Sequence, residues 1–159
     1  MNSAFNVLCH TIAKFDFNHK VEEDRQAVVL DFGEPSGMCL IAVEGDRLSI
    51  YAPLEIEVPE YQAAHVMEAV LRMNTLLELG RLDMDLDTNE LQCVLVTHLP
   101  GGFLDEQAAG HLIAHFLLMM VWCEKVLAAV VDDNVAPVDA IQQVRTRLHS
   151  PADEDILPS

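Results

Sequence analysis

Residues 81–96, RLDMDLDTNELQCVLV, carry the pattern of a β-hairpin. Apolar residues alternate with aspartates over the first half, as they do in a strand with one buried and one solvated face. The buried set would be Leu82, Met84 and Leu86, and the solvated set Asp83, Asp85 and Asp87. Residues 87–90 supply turn chemistry. We therefore expect antiparallel strands over 81–87 and 91–98, joined by an acidic turn.

The same aspartates resemble the start of a calcium-binding loop. An EF-hand loop beginning at Asp83 would need a glycine at its sixth position and a bidentate glutamate at its twelfth. Those positions hold Thr88 and Val94. The pattern therefore favours a solvated strand face, and we predict no metal site in the hairpin.

Further elements are predicted on both sides of the hairpin. Strands are expected at about 27–33, 38–44 and 47–52, separated by turn chemistry at 34–37 and 44–46. The spacing of apolar residues predicts helices over 3–15 with Ser3 as N-cap, from Pro59 to Gly80, from about Asp105 to Val131, and from Pro137 to Leu148. On the second helix one side would form the core face: Ala63, Met67, Val70, Leu71, Asn74 and Leu77.

This order of elements predicts the class of fold. Strands joined by short turns form an antiparallel sheet, and amphipathic helices bury their apolar faces against it. We expect an α+β protein with about five antiparallel strands, helices packed on the sheet, and the order α-β-β-β-α-β-β-α-α. Residues 1–149 would form a single domain, and residues 150–159 an acidic, flexible tail.

The charge of the chain narrows the classes of partner. Its 159 residues include 26 acidic and 9 basic side chains, for a formal net charge of −17. Such a surface repels phosphate, so we expect neither nucleic acid nor membrane as a partner. The N-terminus lacks the pattern of a signal peptide. Four widely spaced cysteines with apolar neighbours are typical of buried thiols in a reducing cytoplasm.

Chemistry-bearing motifs are few. His111 and His115 lie one helical turn apart and could hold zinc. A metalloprotease motif, however, requires glutamate where this chain has Leu112. A third ligand, such as His98, would have to be brought close by the fold. No nucleophile elbow or phosphate-binding loop is present. We predict no catalytic residue, cofactor or metal, and so no enzyme. A metal- or small-molecule-binding protein built around the two histidines remains an alternative from another class.

The long helix predicts an interaction surface. Its polar side begins with His111 and His115, but the same side continues with Leu118 and Trp122 and so becomes apolar. A helix that is apolar nearly all round is buried. Either a second subunit or partner covers Leu118, Trp122 and His115, or another element such as the C-terminal helix does so. We expect a homodimer or an unidentified protein partner at this surface.

The chain also resembles a known family. Residues 58–99 are similar to the core of the YbjN family, whose members show a helix started by proline and ending near an asparagine, then a glycine, then a strand with an acidic turn. Here these are Pro59, Asn74, Gly80 and residues 87–90. The later segment 112–144 resembles members with a long helix followed by a short one that carries a P-x-x-A-I pattern, here Pro137, Ala140 and Ile141.

The resemblance covers roughly residues 27–148 and implies a function through protein contacts. The family consists of proposed bacterial sensory transduction regulators, and its fold is similar to that of type III secretion chaperones, which are commonly dimeric and bind other proteins. It implies a cytoplasmic, non-enzymatic regulatory domain, with a role in sensory transduction or stress response. The alternative within this class is a secretion-type chaperone that binds an effector segment by strand addition or in a groove. The family brings no catalytic residues.

Overall fold

The computed structural model describes residues 3–34 and 37–148. In chain order its helices and strands are α1 (Ala4–Ile12), β1 (Asn18–Glu22), β2 (Ala27–Asp31), β3 (Met38–Glu44), β4 (Arg47–Leu54), α2 (Ala63–Asn74), β5 (Arg81–Met84), β6 (Leu91–His98), α3 (Glu106–Val131) and α4 (Pro137–Leu148). The tail predicted over 150–159 lies outside the described residues. The α+β class with an antiparallel sheet is confirmed.

The six strands form a single sheet in the order β1-β2-β3-β4-β6-β5, and every neighbouring pair is antiparallel. This is one strand more than the sequence predicted. The additional strand, β1, escaped prediction because its sequence, NHKVE, holds a single large apolar residue, Val21. It pairs with β2 through its backbone, from Asn18 opposite Asp31 to Glu22 opposite Ala27.

One face of the sheet forms the core with the helices. Ile41, Ile50 and Leu95 lie side by side across β3, β4 and β6, and each is almost fully buried. Helix α3 packs on this face, where Cys123 contacts Cys93 of β6, and it also contacts α1, α2 and α4. The long helix is therefore the centre of the core, around the fully buried Phe116 and Leu127.

The predicted starts of α1 and α3 are confirmed, whereas the helix predicted from Pro59 to Gly80 spans only Ala63–Asn74. Ser3 precedes α1, and its hydroxyl oxygen accepts a hydrogen bond from the backbone N–H of Asn6 at 3.2 Å. Asp105 precedes α3, and its carboxylate accepts one from the N–H of Ala108 at 2.8 Å. Each side chain satisfies a backbone donor that has no partner within its own helix.

The predicted core face of α2 is confirmed at Val70 but wrong at Met67 and Leu71. The buried residues are Val66, Ala69, Val70 and Met73, whereas Met67 is 40% exposed and Leu71 63% exposed. Helix α2 carries apolar residues on two adjacent stripes, and the stripe with the smaller side chains faces α3 and α4. The Met67 and Leu71 stripe is left beside the sheet, where it borders a groove.

Candidate interaction groove

A groove of about 1300 Å³ opens between α2, the end of β4 with the residues that follow it, and the β5–β6 hairpin. We call it the acidic groove. Its apolar lining comes from all three parts: Leu54, Ile56, Met67, Val70, Leu71, Leu82, Met84, Leu86 and Leu91. Five carboxylates lie among them: Glu55, Glu57, Asp83, Asp85 and Glu90. An apolar lining with charged groups placed around it is typical of a binding surface.

An asparagine joins α2 to β5, two of the elements that line the groove. The side-chain amide of Asn74, the last residue of α2, donates to the carbonyl oxygen of Leu82 at 2.9 Å, and its oxygen accepts from the N–H of Leu82 at 2.8 Å. It thus supplies both hydrogen bonds that a neighbouring strand would give to the edge strand β5. Helix α2 and β5 are joined here, and the groove lies on the side toward Met67 and Leu86.

An acidic turn also borders the groove. The predicted strand over 81–87 is too long: β5 ends at Met84, because the Asp85 carboxylate accepts hydrogen bonds from the N–H groups of Asp87 and Thr88 at 2.8 and 3.2 Å. This local bonding competes with the strand ladder and turns the chain. Leu86, predicted to be buried, is consequently 69% exposed and lies on the groove.

The carboxylates of the groove are poorly compensated. Asp83 pairs with Arg81 at 2.9 Å. Glu55, Glu57, Asp85 and Glu90 form no ion pair within residues 3–34 and 37–148, and none of the described residues that line the groove is basic. The local potential is therefore negative beyond what the overall charge would give.

The outer edge of β5 carries backbone groups that no neighbouring strand of the described sheet pairs. Because the N–H and C=O of Leu82 point toward Asn74, they point away from β6, and strand alternation turns those of Met84 the same way. Asn74 bonds in this way to Leu82 and not to Met84. Met84 therefore presents a donor and an acceptor on the outer edge of β5, which faces away from β6, and this is the geometry that accepts an added strand.

The predicted interface residues lie together on one side of α3. Leu118 is 56% exposed, and Val121 beside it is also exposed. Trp122 is half-buried and packs against the core, while exposed His115 places its Nε2 3.4 Å from the carbonyl oxygen of Leu79. Helix α3 is long and apolar enough to cross a membrane, but 44% of its most apolar window is buried inside the protein, as expected for a central core helix.

The histidines are not grouped with further metal-binding side chains in the part of the chain that the structure describes. His111 is exposed on α3, and His98 pairs instead with Asp46, Nδ1 to Oδ2, at 3.4 Å. Within residues 3–34 and 37–148 no three His, Cys, Asp or Glu side chains are grouped so as to hold a metal ion. The alternative built on His111 and His115 therefore gains no third ligand from the described part of the fold.

The four cysteines are free thiols in the described structure. Burial raises the pKa of Cys39 to about 12. The pKa of Cys93 is also raised, first by its hydrogen bond with Cys123 and then by burial. The thiols of Cys39 and Cys93 therefore stay protonated at neutral pH, and a protonated, buried thiol is a poor nucleophile.

The acidic groove was missed by sequence reasoning, although two signals for it were present. The predicted core face of α2 mixed residues of both stripes, and the surplus of apolar positions was the first signal. Leu86 inside an acidic turn was the second. What the sequence does not show is that α2 and the hairpin, joined at Asn74 and Leu82, place these residues around one groove.

The fold has a counterpart among solved structures. It matches a crystallised protein of the same α+β class with a TM-score of 0.60, over 80% of this chain and 93% of the other. That protein is YbjN from E. coli, described as a proposed transcription regulator, and the two sequences are 14% identical. The sequence matches no family model and no curated protein. The resemblance to YbjN seen in the sequence is thus confirmed at the level of the fold.

Proposed function

We propose that this protein is a non-enzymatic interaction domain that acts in regulation by binding a segment of another protein in the acidic groove. The observation that carries the proposal is the groove itself. Exposed Met67, Leu71 and Leu86 line a concave surface that also holds four carboxylates without an ion pair among the described residues. A contiguous apolar surface rimmed by polar residues is typical of an interaction site.

Two further observations support a regulatory rather than a catalytic role. None of the hydrogen bonds found in the described residues joins a Ser, Thr or Cys side chain to a histidine, the pairing that activates a nucleophile. The free thiols suit a reducing cytoplasm. YbjN is described as a proposed transcription regulator, and at a net charge of −17 this chain would regulate through protein contacts rather than through DNA.

The outer side of α3 favours a homodimer as a second proposal. Leu118 and Val121 are exposed, neighbouring apolar residues on a helix whose other sides are buried. Contact between two copies would cover them and leave the acidic groove free. A dimer would present two grooves, as a secretion-type chaperone does in the alternative drawn from the resemblance.

Affinity purification from native cells tests the function. The bait is the wild-type protein, the groove variant Leu71→Glu, or Val138→Glu, which changes a comparably exposed apolar residue on α4. Partners are identified by mass spectrometry. We expect a protein that is recovered with the wild type and with Val138→Glu but lost with Leu71→Glu. Recovery of the same proteins with both variants would contradict binding at the groove.

A further inference from the structure

From the acidic groove we infer the chemistry of its occupant: an extended segment of another protein in which lysine or arginine alternates with large apolar residues. The inference rests on the proposed function and specifies its partner. It combines the charge of the rim, the apolar walls and the open edge of β5.

Charge complementarity sets the sign of the segment. Glu55, Glu57, Asp85 and Glu90 surround the apolar lining and have no cationic partner among the residues described. A neutral segment would desolvate these carboxylates without compensating their charge, and an acidic segment would add repulsion between like charges; both are unfavourable. A segment with basic side chains would instead pair with them.

The edge of β5 sets the conformation. The N–H and C=O of Met84 point away from β6, and an extended segment laid along β5 can bond to both. In such a strand alternate side chains point to opposite faces. One set would enter between Met84 and the Met67–Leu71 stripe of α2, and the other would lie on the opposite face of the sheet, which carries Asp83. A segment of alternating apolar and basic residues would therefore match both surfaces, the apolar one with its apolar side chains and the acidic one with its basic side chains.

A second copy of this chain does not fit the description. The chain has 9 basic residues against 26 acidic ones, and the interior strands of its sheet are mainly apolar. A segment of a second copy would bring few basic side chains to a groove that already holds four carboxylates without an ion pair among the described residues. The occupant is therefore a different, basic polypeptide.

Fluorescence anisotropy with synthetic peptides tests the inference. The probe is a short fluorescein-labelled peptide in which lysine and valine alternate. One comparison peptide has glutamate for lysine, and another has the same composition with valines spaced by three and four, as on a helix. The full-length protein is used as wild type, as the groove variant Glu55→Gln/Glu57→Gln/Glu90→Gln, and as the control Asp24→Asn/Asp132→Asn/Asp133→Asn, which removes the same charge from exposed positions outside the groove.

We expect the alternating lysine peptide to bind the wild type and the control equally, and the groove variant about tenfold more weakly, with affinity falling as salt is added. Absence of binding, equal binding of the glutamate peptide, or equal affinity for the groove and control variants would overturn the inference. Tighter binding of the helical-spacing peptide would overturn its extended conformation. The proposed function survives each of these results if Leu71→Glu still loses a native partner.

Discussion

Replacing Asn74 with alanine is expected to destabilise the protein more than most substitutions of a polar residue near the surface do. The side chain makes two hydrogen bonds to Leu82, at 2.9 and 2.8 Å, and Leu82 itself is 1% exposed. Each bond contributes about 1 kcal/mol net, and a buried donor or acceptor left unpaired costs about 1–3 kcal/mol. Partial access of water to the strand edge lowers the sum, so we expect a loss of about 2–4 kcal/mol.

Urea denaturation followed by circular dichroism measures this loss. The neighbouring variant Thr75→Ala is the control, because it removes one exposed hydrogen bond, from the Thr75 hydroxyl to the carbonyl of Arg72. We expect its effect to stay below about 1 kcal/mol. Hydrogen exchange should show a faster-exchanging Leu82 amide in Asn74→Ala. A loss for Asn74→Ala no larger than for Thr75→Ala would refute the role of Asn74 as a substitute strand.

The substitution Asn74→Asp separates donor from acceptor. An ionised carboxylate can still accept a hydrogen bond from the N–H of Leu82. It cannot donate one to the carbonyl oxygen of Leu82, so two oxygens face each other there unless the carboxyl is protonated. Its pKa in the folded protein is therefore raised, and the folded state binds more protons than the unfolded one between the two pKa values. The stability of this variant relative to wild type should fall as the pH rises through that interval. A pH-independent difference would contradict the donor role.

Three more outcomes are expected. Leu118→Glu should lower the oligomer mass measured by light scattering, because it places a charge on the exposed side of α3; an unchanged mass in a folded variant would argue against the dimer. Gly80→Ala should destabilise by about 1–3 kcal/mol in urea, because Gly80 has φ +85° and an added Cβ would lie 2.9 Å from Met119 Sδ and 3.0 Å from the Val94 oxygen. Its control Gly45→Ala, at φ +61° with open space around it, should cost less. Burial raises the pKa of Glu124 above its ordinary 4.5, so the folded state is favoured when this carboxyl is protonated. The folded protein therefore loses stability as the pH rises through the raised pKa. Glu124→Gln should therefore melt at a higher temperature than wild type at neutral pH and at the same temperature in acid well below 4.5.

Local signals predicted most of the fold. Turn chemistry between apolar runs located β2, β3 and β4, the hairpin pattern located β5 and β6, and Ser3 and Asp105 marked the starts of α1 and α3. Strand β1 was not predicted because its pairing with β2 uses backbone groups and needs no apolar pattern. The end of β5 was misplaced for a related reason. Asp85 alternates correctly for a strand, but its side chain bonds to the backbone two and three residues ahead.

The candidate site could be predicted only in fragments. The three residues chosen on α3 share one side of a helix, and helical spacing alone brings them together. The acidic groove, in contrast, joins residues from β4, α2 and the hairpin that are up to 39 positions apart, from Pro53 to Gln92. Their meeting depends on which of the two apolar stripes of α2 faces the core. Helical periodicity could not decide this, because Val66 and Met67 are equally good candidates by hydrophobicity.

The asparagine and glycine of the family pattern acquire a physical meaning at this groove. Asn74 ties α2 to β5, and Gly80 lets the chain pass between them with Met119 and Val94 too close for a side chain. Both residues therefore act on the junction between helix and edge strand rather than on a ligand. A chain that keeps this junction also keeps Met67 and Leu71 turned toward the acidic turn of the hairpin, whatever the other side chains are. The alternating aspartates have separate structural roles in this arrangement: Asp83 pairs with Arg81, and Asp85 shapes the turn. In the proposed complex the carboxylates without an ion pair among the described residues would favour a basic segment.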